Sequence, residues 1–229
     1  MREIVLDTET TGFDPATGDR IVEIGCVELI DHLPTGDNFH AYLNPERLVP
    51  IETQKVHGLT DEFLADKPLF AHIVEDLLEF LGDAPLVIHN AAFDMKFVNS
   101  ELHRCGKPPL PYARAIDTIE IAKAKIPGAR YSLDELCKRF GIDLSARSKH
   151  GALLDAELTA RVYLELVGGR QTKLVLAPGD SVEIHGDAMV QVTRTRPRQL
   201  TVVITQEEQE AHASFIAKEL GDKPVWSWS

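Results

Sequence analysis

The chain has 229 residues, room for one full domain with an appendage or for two small domains. Its 44% apolar and 26% charged residues are a globular composition that excludes collagen-like, wholly disordered and disulfide-framework proteins. With 24 basic against 36 acidic residues the formal charge is −12, which argues against coating nucleic acid through a bulk field; a phosphate-handling site would have to import positive charge, for example as metal ions.

The chain starts with a β-branched run, Ile4-Val5-Leu6, that ends in Asp7-Thr8-Glu9; the Gly-, Pro- and Asp-rich stretch from Thr10 to Asp19 reads as a turn. No basic leader precedes it, and no later stretch approaches the roughly 18 uncharged apolar residues of a membrane span. Ile21 to Ile30 and Phe39 to Leu43 follow as strands, with the expected turn over Pro34 to Asn38, so the first third reads as an antiparallel meander. Phe70, Ile73, Val74, Leu77, Leu78 and Leu81 then recur at helical spacing, Pro85 to Ile88 is a compact strand, and Ala91 to Cys105 is an amphipathic helix. Ala115-Ile116 is a short strand before a helix over Ile119 to Lys125, and Ser132 to Glu135 has the pattern of a capping box opening a helix to Phe140. A last helix, to Val167, ends at Gly168-Gly169, which marks a domain boundary. Strands that alternate with helices after a meander predict an α/β layered sheet. The three cysteines, Cys26, Cys105 and Cys137, show no CxxC spacing and fit a reducing cytoplasm.

Three short stretches carry the chemistry. Asp7 and Glu9 lie two apart on a strand, so both carboxylates share one face at the end of an apolar run. Asp94 falls in or near the first turn of the next helix, where the dipole favours an ionised carboxylate. His150 and Asp155 would stand about 140° apart on one continuous helix, so to converge His150 must sit on the loop before the helix and Asp155 inside it, a kink that Gly151 eases. Read singly, each is as readily a solvated strand end, a dipole-facing acid or a surface histidine. Together, four carboxylates from three elements need hard cations to neutralise them, and oxygen ligands favour Mg²⁺ or Mn²⁺ over zinc. Two such ions clamp an in-line phosphoryl displacement, and a neutral histidine nearby can take the proton of the attacking water.

Asp7-Thr-Glu9-Thr-Thr-Gly12, His89-Asn-Ala-Ala-Phe-Asp94 and His150-x4-Asp155 resemble, in this order, the three exonuclease motifs of the DEDDh superfamily. Ile21-Val-Glu-Ile-Gly25, Val56-His57-Gly58 and Val87-Ile-His-Asn90 add a likeness to its proofreading branch, which serves bacterial replicative polymerases. The resemblance implies a ribonuclease H-like mixed sheet over residues 1–169, two divalent ions, Mg²⁺ or Mn²⁺, and 3′→5′ removal of nucleotides from single-stranded DNA ends. It implies that Asp7, Glu9 and Asp155 bind metal directly, that Asp94 supports the second ion, and that His150 is the general base. Thr10, Phe13, Glu52 and His57 match positions of nucleotide contact.

Beyond the Gly-Gly break, Gln171, Leu174 and Leu176 stand in a Q-x-x-L-x-L pattern similar to peptides that dock on sliding clamps, within a linker of residues 170–177. Residues 178–229, with helical Gln206 to Leu220 and two tryptophans, Trp226 and Trp228, are similar in role to a tail that docks on the polymerase catalytic subunit, and the likeness leaves room for a small accessory subunit. Two other readings remain: a DEDDh ribonuclease acting on RNA 3′ ends, and a catalytically silent adaptor between polymerase and clamp. The second gains nothing from clustered, mutually repelling acids.

Overall fold

A computed structural model describes residues 1–145, 149–168 and 205–215. The chain divides into two units, Met1–Val175 and Leu176–Ser229. The first is built on five strands: β1 (Arg2–Thr10), β2 (Ile21–Ile30), β3 (Leu33–Tyr42), β4 (Leu86–Ile88) and β5 (Ala115–Asp117). Their order is β3-β2-β1-β4-β5. The β1, β2 and β3 strands form the antiparallel meander, and β4 and β5 run parallel to β1. The helices are α1 (Ile51–His57), α2 (Asp61–Leu64), α3 (Phe70–Leu81), α4 (Ala91–Arg104), α5 (Thr118–Lys125), α6 (Leu133–Phe140) and α7 (Ala152–Val167); α8 (Gln206–Phe215) lies in the second unit.

Side-chain alternation along β1 and β2 assigns the two faces of the sheet. Ile4, Leu6, Ile24 and Cys26 point to one face and form a core with α3 and α4 residues such as Leu77 and Phe97. Val5 and Val27 point to the other and meet Ala156, Ala160 and Tyr163 of α7. Alanines at 152, 156 and 160, one helical turn apart, leave α7 little side chain toward the sheet. At Gly25 the approach is closest: a Cβ there would lie 2.3 Å from the Leu153 backbone nitrogen, so only glycine lets the first turn of α7 rest on β2.

The hairpin between β2 and β3 differs from expectation. Its turn is Asp31-His32, both with positive φ (51° and 68°), and Ile30 pairs with Leu33 across it. That is the two-residue primed geometry, which Asp and His tolerate better than most residues. Pro34 to Asn38 is instead part of β3, an edge strand, where proline's missing N–H costs no ladder bond. Ser132 stands at the start of α6 but makes no capping hydrogen bond from its side chain. The loop from Thr11 to Arg20 is fastened to α4 by a buried fork: Arg20 donates Nε to Glu101 Oε1 (2.6 Å) and Nη2 to Oε2 (2.9 Å).

Candidate metal centre

The C-terminal end of β1 and the start of α7 meet here. Glu9, His150 and Asp155 present ligand atoms that all lie within 4.8 Å of one another. His150 sits on the loop before Gly151, the N-cap of α7, and its Nδ1 is 3.2 Å from Asp155 Oδ2. The main chain of that loop is tied to α1, His150 N donating to Val56 O at 3.3 Å. Asp155 is buried in the first turn of α7, where the helix dipole favours its ionised form. Asp7 lies one pleat back from Glu9 on the same face, in register with Gly25. Burial, and after it the charge of Asp7, push the neighbouring Cys26 thiol far above its ordinary range, so that cysteine is inert packing.

Asp94 approaches from the α4 side. It is buried, and Thr8 Oγ1 donates to its Oδ1 at 2.7 Å. Burial raises its carboxyl to about 7, opposed by hydrogen bonds from Thr8 and the backbone and reinforced by the charge of Asp117. Asp117 organises the approach: its carboxylate accepts from Ala91 N (2.9 Å) and Ile119 N (2.8 Å), joining the start of α4 to that of α5.

The four weaker sequence candidates fall into different settings. Thr10 is buried, and its hydroxyl donates to Gly12 O at 2.6 Å, which shapes the turn after β1. Phe13, in that turn, is 83% exposed and so has no core role. Glu52 is exposed on α1, and His57 is the buried last residue of the same helix. His57 Nδ1 accepts from Leu59 N (3.0 Å), and its Nε2 has no hydrogen-bond partner among the described residues. Burial holds this imidazole below its usual pKa despite the Thr10 carbonyl, and the nearby His150 and Lys149 add to the effect. Thr8, Asp117 and the buried Glu23 were not singled out by the sequence. An acid just before a helix is a visible N-cap signal for Asp117, but Thr8 acquires its partner only when α4 packs on the sheet, and Glu23 only through the strand register.

Hard carboxylate oxygens with one imidazole nitrogen, beside a second buried carboxyl, suit a divalent cation of the Mg²⁺ type. A five-stranded mixed sheet carrying acids at the end of its central strand, with a histidine just before α7, is the architecture of the ribonuclease H-like exonucleases. The family model RNase_T, described as "Exonuclease", matches residues 4–163. The nuclease domain of 3′hExo, a DEDDh family member solved with rAMP, has the same fold (TM-score 0.63, 21% identity, 72% of this chain and 91% of that one). The DNA polymerase III subunit epsilon of Rickettsia felis is 50% identical over 222 residues, 95% of this chain and 96% of that protein. The epsilon subunit of Escherichia coli K12 is 43% identical over 235 residues, 98% and 97% of the two chains. The chain belongs to the exonuclease family and, within it, to the DNA polymerase III epsilon subunits.

Proposed function

We propose that the protein is the proofreading 3′→5′ exonuclease of a replicative DNA polymerase, hydrolysing mispaired 3′-terminal nucleotides. The observation that carries this reading is the convergence of Glu9, His150 and Asp155 within 4.8 Å at the end of β1. Asp7, Glu9 and Asp155 are the residues to hold two divalent ions, Mg²⁺ or Mn²⁺, with Asp94 supporting the second. Such ions, when bound, stabilise charge on the attacking and leaving oxygens of the phosphodiester.

The remaining work falls to the chain's own side chains. Asp155 holds His150 by its Nδ1, which leaves Nε2 of the half-exposed ring to take a proton from the attacking water. Thr8 fixes the Asp94 carboxylate on the opposite side. Exposed Phe13 offers a ring on which a terminal base can stack, with Thr10 shaping its turn and Glu52 and His57 as further nucleotide contacts. Gln171, Leu174 and Leu176, outside the described residues, form the clamp-docking peptide. The tail from 178 docks on the polymerase catalytic subunit, and the likeness leaves room for a small accessory subunit.

The test is digestion of matched DNA and RNA oligonucleotides, single-stranded and with mispaired 3′ ends, with and without divalent ions. Metal-dependent release of deoxynucleoside monophosphates from DNA 3′ ends, fastest at mispairs, supports the reading. Preference for RNA supports the ribonuclease instead, and no digestion of either supports the adaptor.

A further inference from the structure

We propose that Glu23, held by His40, is a positioning residue of the metal centre, setting the spacing between Glu9 on β1 and the Gly151 joint that carries His150 into α7. The inference rests on the exonuclease reading but concerns a residue outside the four acids and the histidine of that reading. Glu23 stands directly opposite Glu9 in the β1–β2 register, and directly opposed residues on antiparallel strands share a face. Its carboxylate therefore stands on the face covered by α7, and it is only 3% exposed. Two acids so placed repel each other, so the pair is a cost to the sheet and calls for compensation.

Part of the compensation lies on β3. His40 Nε2 is 2.7 Å from Glu23 Oε1, and Tyr42 is the cross-strand neighbour of Glu23. Burial, and then the nearby Glu23, hold the Tyr42 hydroxyl above its ordinary pKa. The Tyr42 ring lies edge-on to both His40 (4.8 Å) and Phe63 (5.0 Å), which locks the group. The same carboxylate reaches α7: a Cβ on Gly151 would lie 3.9 Å from both Glu23 oxygens. Glu23 thus stands near the Gly151 joint between His150 and Asp155 while lying opposite Glu9. A Glu–His pair that only tied β2 to β3 would have no need to stand at this row, since backbone ladder bonds already pair those strands along their length.

The charge of Glu23 also adds to the negative potential that draws a cation to Glu9 and Asp155. Residues that position metal ligands from outside the coordination sphere are worth roughly 10- to 100-fold in metal affinity or activity.

The test compares the full chain with Glu23→Gln, Glu23→Asp, His40→Ala and the Glu23→Gln/His40→Ala double variant. Mn²⁺ binding by calorimetry, melting in chelator, and kcat and KM on single-stranded DNA are read for each. Glu23→Gln is expected to bind Mn²⁺ about 10-fold more weakly and to lose kcat with little change in KM, while melting in chelator no lower than the parent because a repelling charge is gone. His40→Ala leaves a buried carboxylate without its partner and is expected to melt lower; the double variant recovers the melting temperature but not the Mn²⁺ affinity. Glu23→Asp keeps the charge but withdraws it from Gly151, so it is expected to recover Mn²⁺ affinity ahead of kcat, and it decides the matter should Glu23→Gln not fold. Parent-like Mn²⁺ affinity and kcat in Glu23→Gln overturn the proposal, as does a lowered melting temperature with metal affinity intact; a Glu23→Asp variant equal to the parent in kcat overturns the spacing role. If the parent itself digests no DNA, the exonuclease reading fails, and the Mn²⁺ titration still decides the role of Glu23.

Discussion

Asp94 is a buried acid whose carboxylate is held by Thr8. Its folded pKa of about 7 lies above the ordinary carboxylate value, so without metal its contribution to stability is present at low pH and is lost as pH rises from about 4 through 7. His57 acts in the opposite sense: its depressed folded pKa contributes stability above the unfolded value of 6.5, lost as pH falls through the folded one. Replacing Asp94 by Asn isolates the first effect. In chelator the melting temperature of Asp94→Asn is expected to rise relative to the parent as pH goes from 5 to 8; parallel curves would contradict the assignment. His150 calls for a different measurement, because its ring nitrogen lies within 4.8 Å of the candidate ligand oxygens of Glu9 and Asp155. As general base it predicts that His150→Ala loses on the order of 10² to 10⁴ in rate with Mn²⁺ affinity unchanged, whereas lost affinity would make it a ligand. The sequence points to Asp7, Glu9, Asp94, His150 and Asp155 because they stand at ends of strongly patterned elements, and the structure brings Glu9, His150 and Asp155 together. Thr8 and Glu23 act through partners 86 and 17 positions away, Asp94 and His40, and no local pattern announces such pairs.

Among the elements, α7 bears most of the responsibility for the site. It brings in Asp155 and, through Gly151, His150, and its height above the sheet is set by Gly25. A methyl group there meets backbone at 2.3 to 2.5 Å, which cannot give way as a flexible side chain can. Gly25→Ala is therefore expected to cost about 1–3 kcal/mol in chemical denaturation and to reduce exonuclease rate by more than tenfold, because α7 must lift away from β1. Near-parental activity would show that α7 is free to move. The helices with clear 3.6-residue periodicity, α3 and α4, were legible in advance, as was the position of His150 before rather than within α7. The short α1 and α2 were not, since four to seven residues give too few turns for a pattern to repeat. The β2–β3 turn was misplaced because Pro34-Thr-Gly-Asp-Asn38 has stronger turn chemistry than Asp31-His32; the strand pairing decided otherwise.

At the scale of the whole molecule, the charge of −12 sets the protein against its own substrate. Such a surface does not attract a polyanion through its bulk field, and the proposed clamp tether would supply local concentration, roughly millimolar for a short linker. Replacing Gln171, Leu174 and Leu176 by alanine is expected to leave digestion of short free oligonucleotides intact and to weaken association with a sliding clamp in a calorimetric titration; equal affinity would show that the pattern is accidental. The central claim, that an acid cluster at the end of β1 hydrolyses DNA 3′ ends with divalent metal, is tested most directly through Asp7. The measurement is single-turnover digestion of a 5′-labelled DNA strand with a mispaired 3′ end by the parent and by Asp7→Ala, each in Mg²⁺ or Mn²⁺, with melting in chelator as the control for folding. The parent is expected to shorten the strand one nucleotide at a time from the 3′ end, and Asp7→Ala to melt no lower in chelator yet leave the strand whole. A folded Asp7→Ala that digests at the parent's rate would contradict that claim.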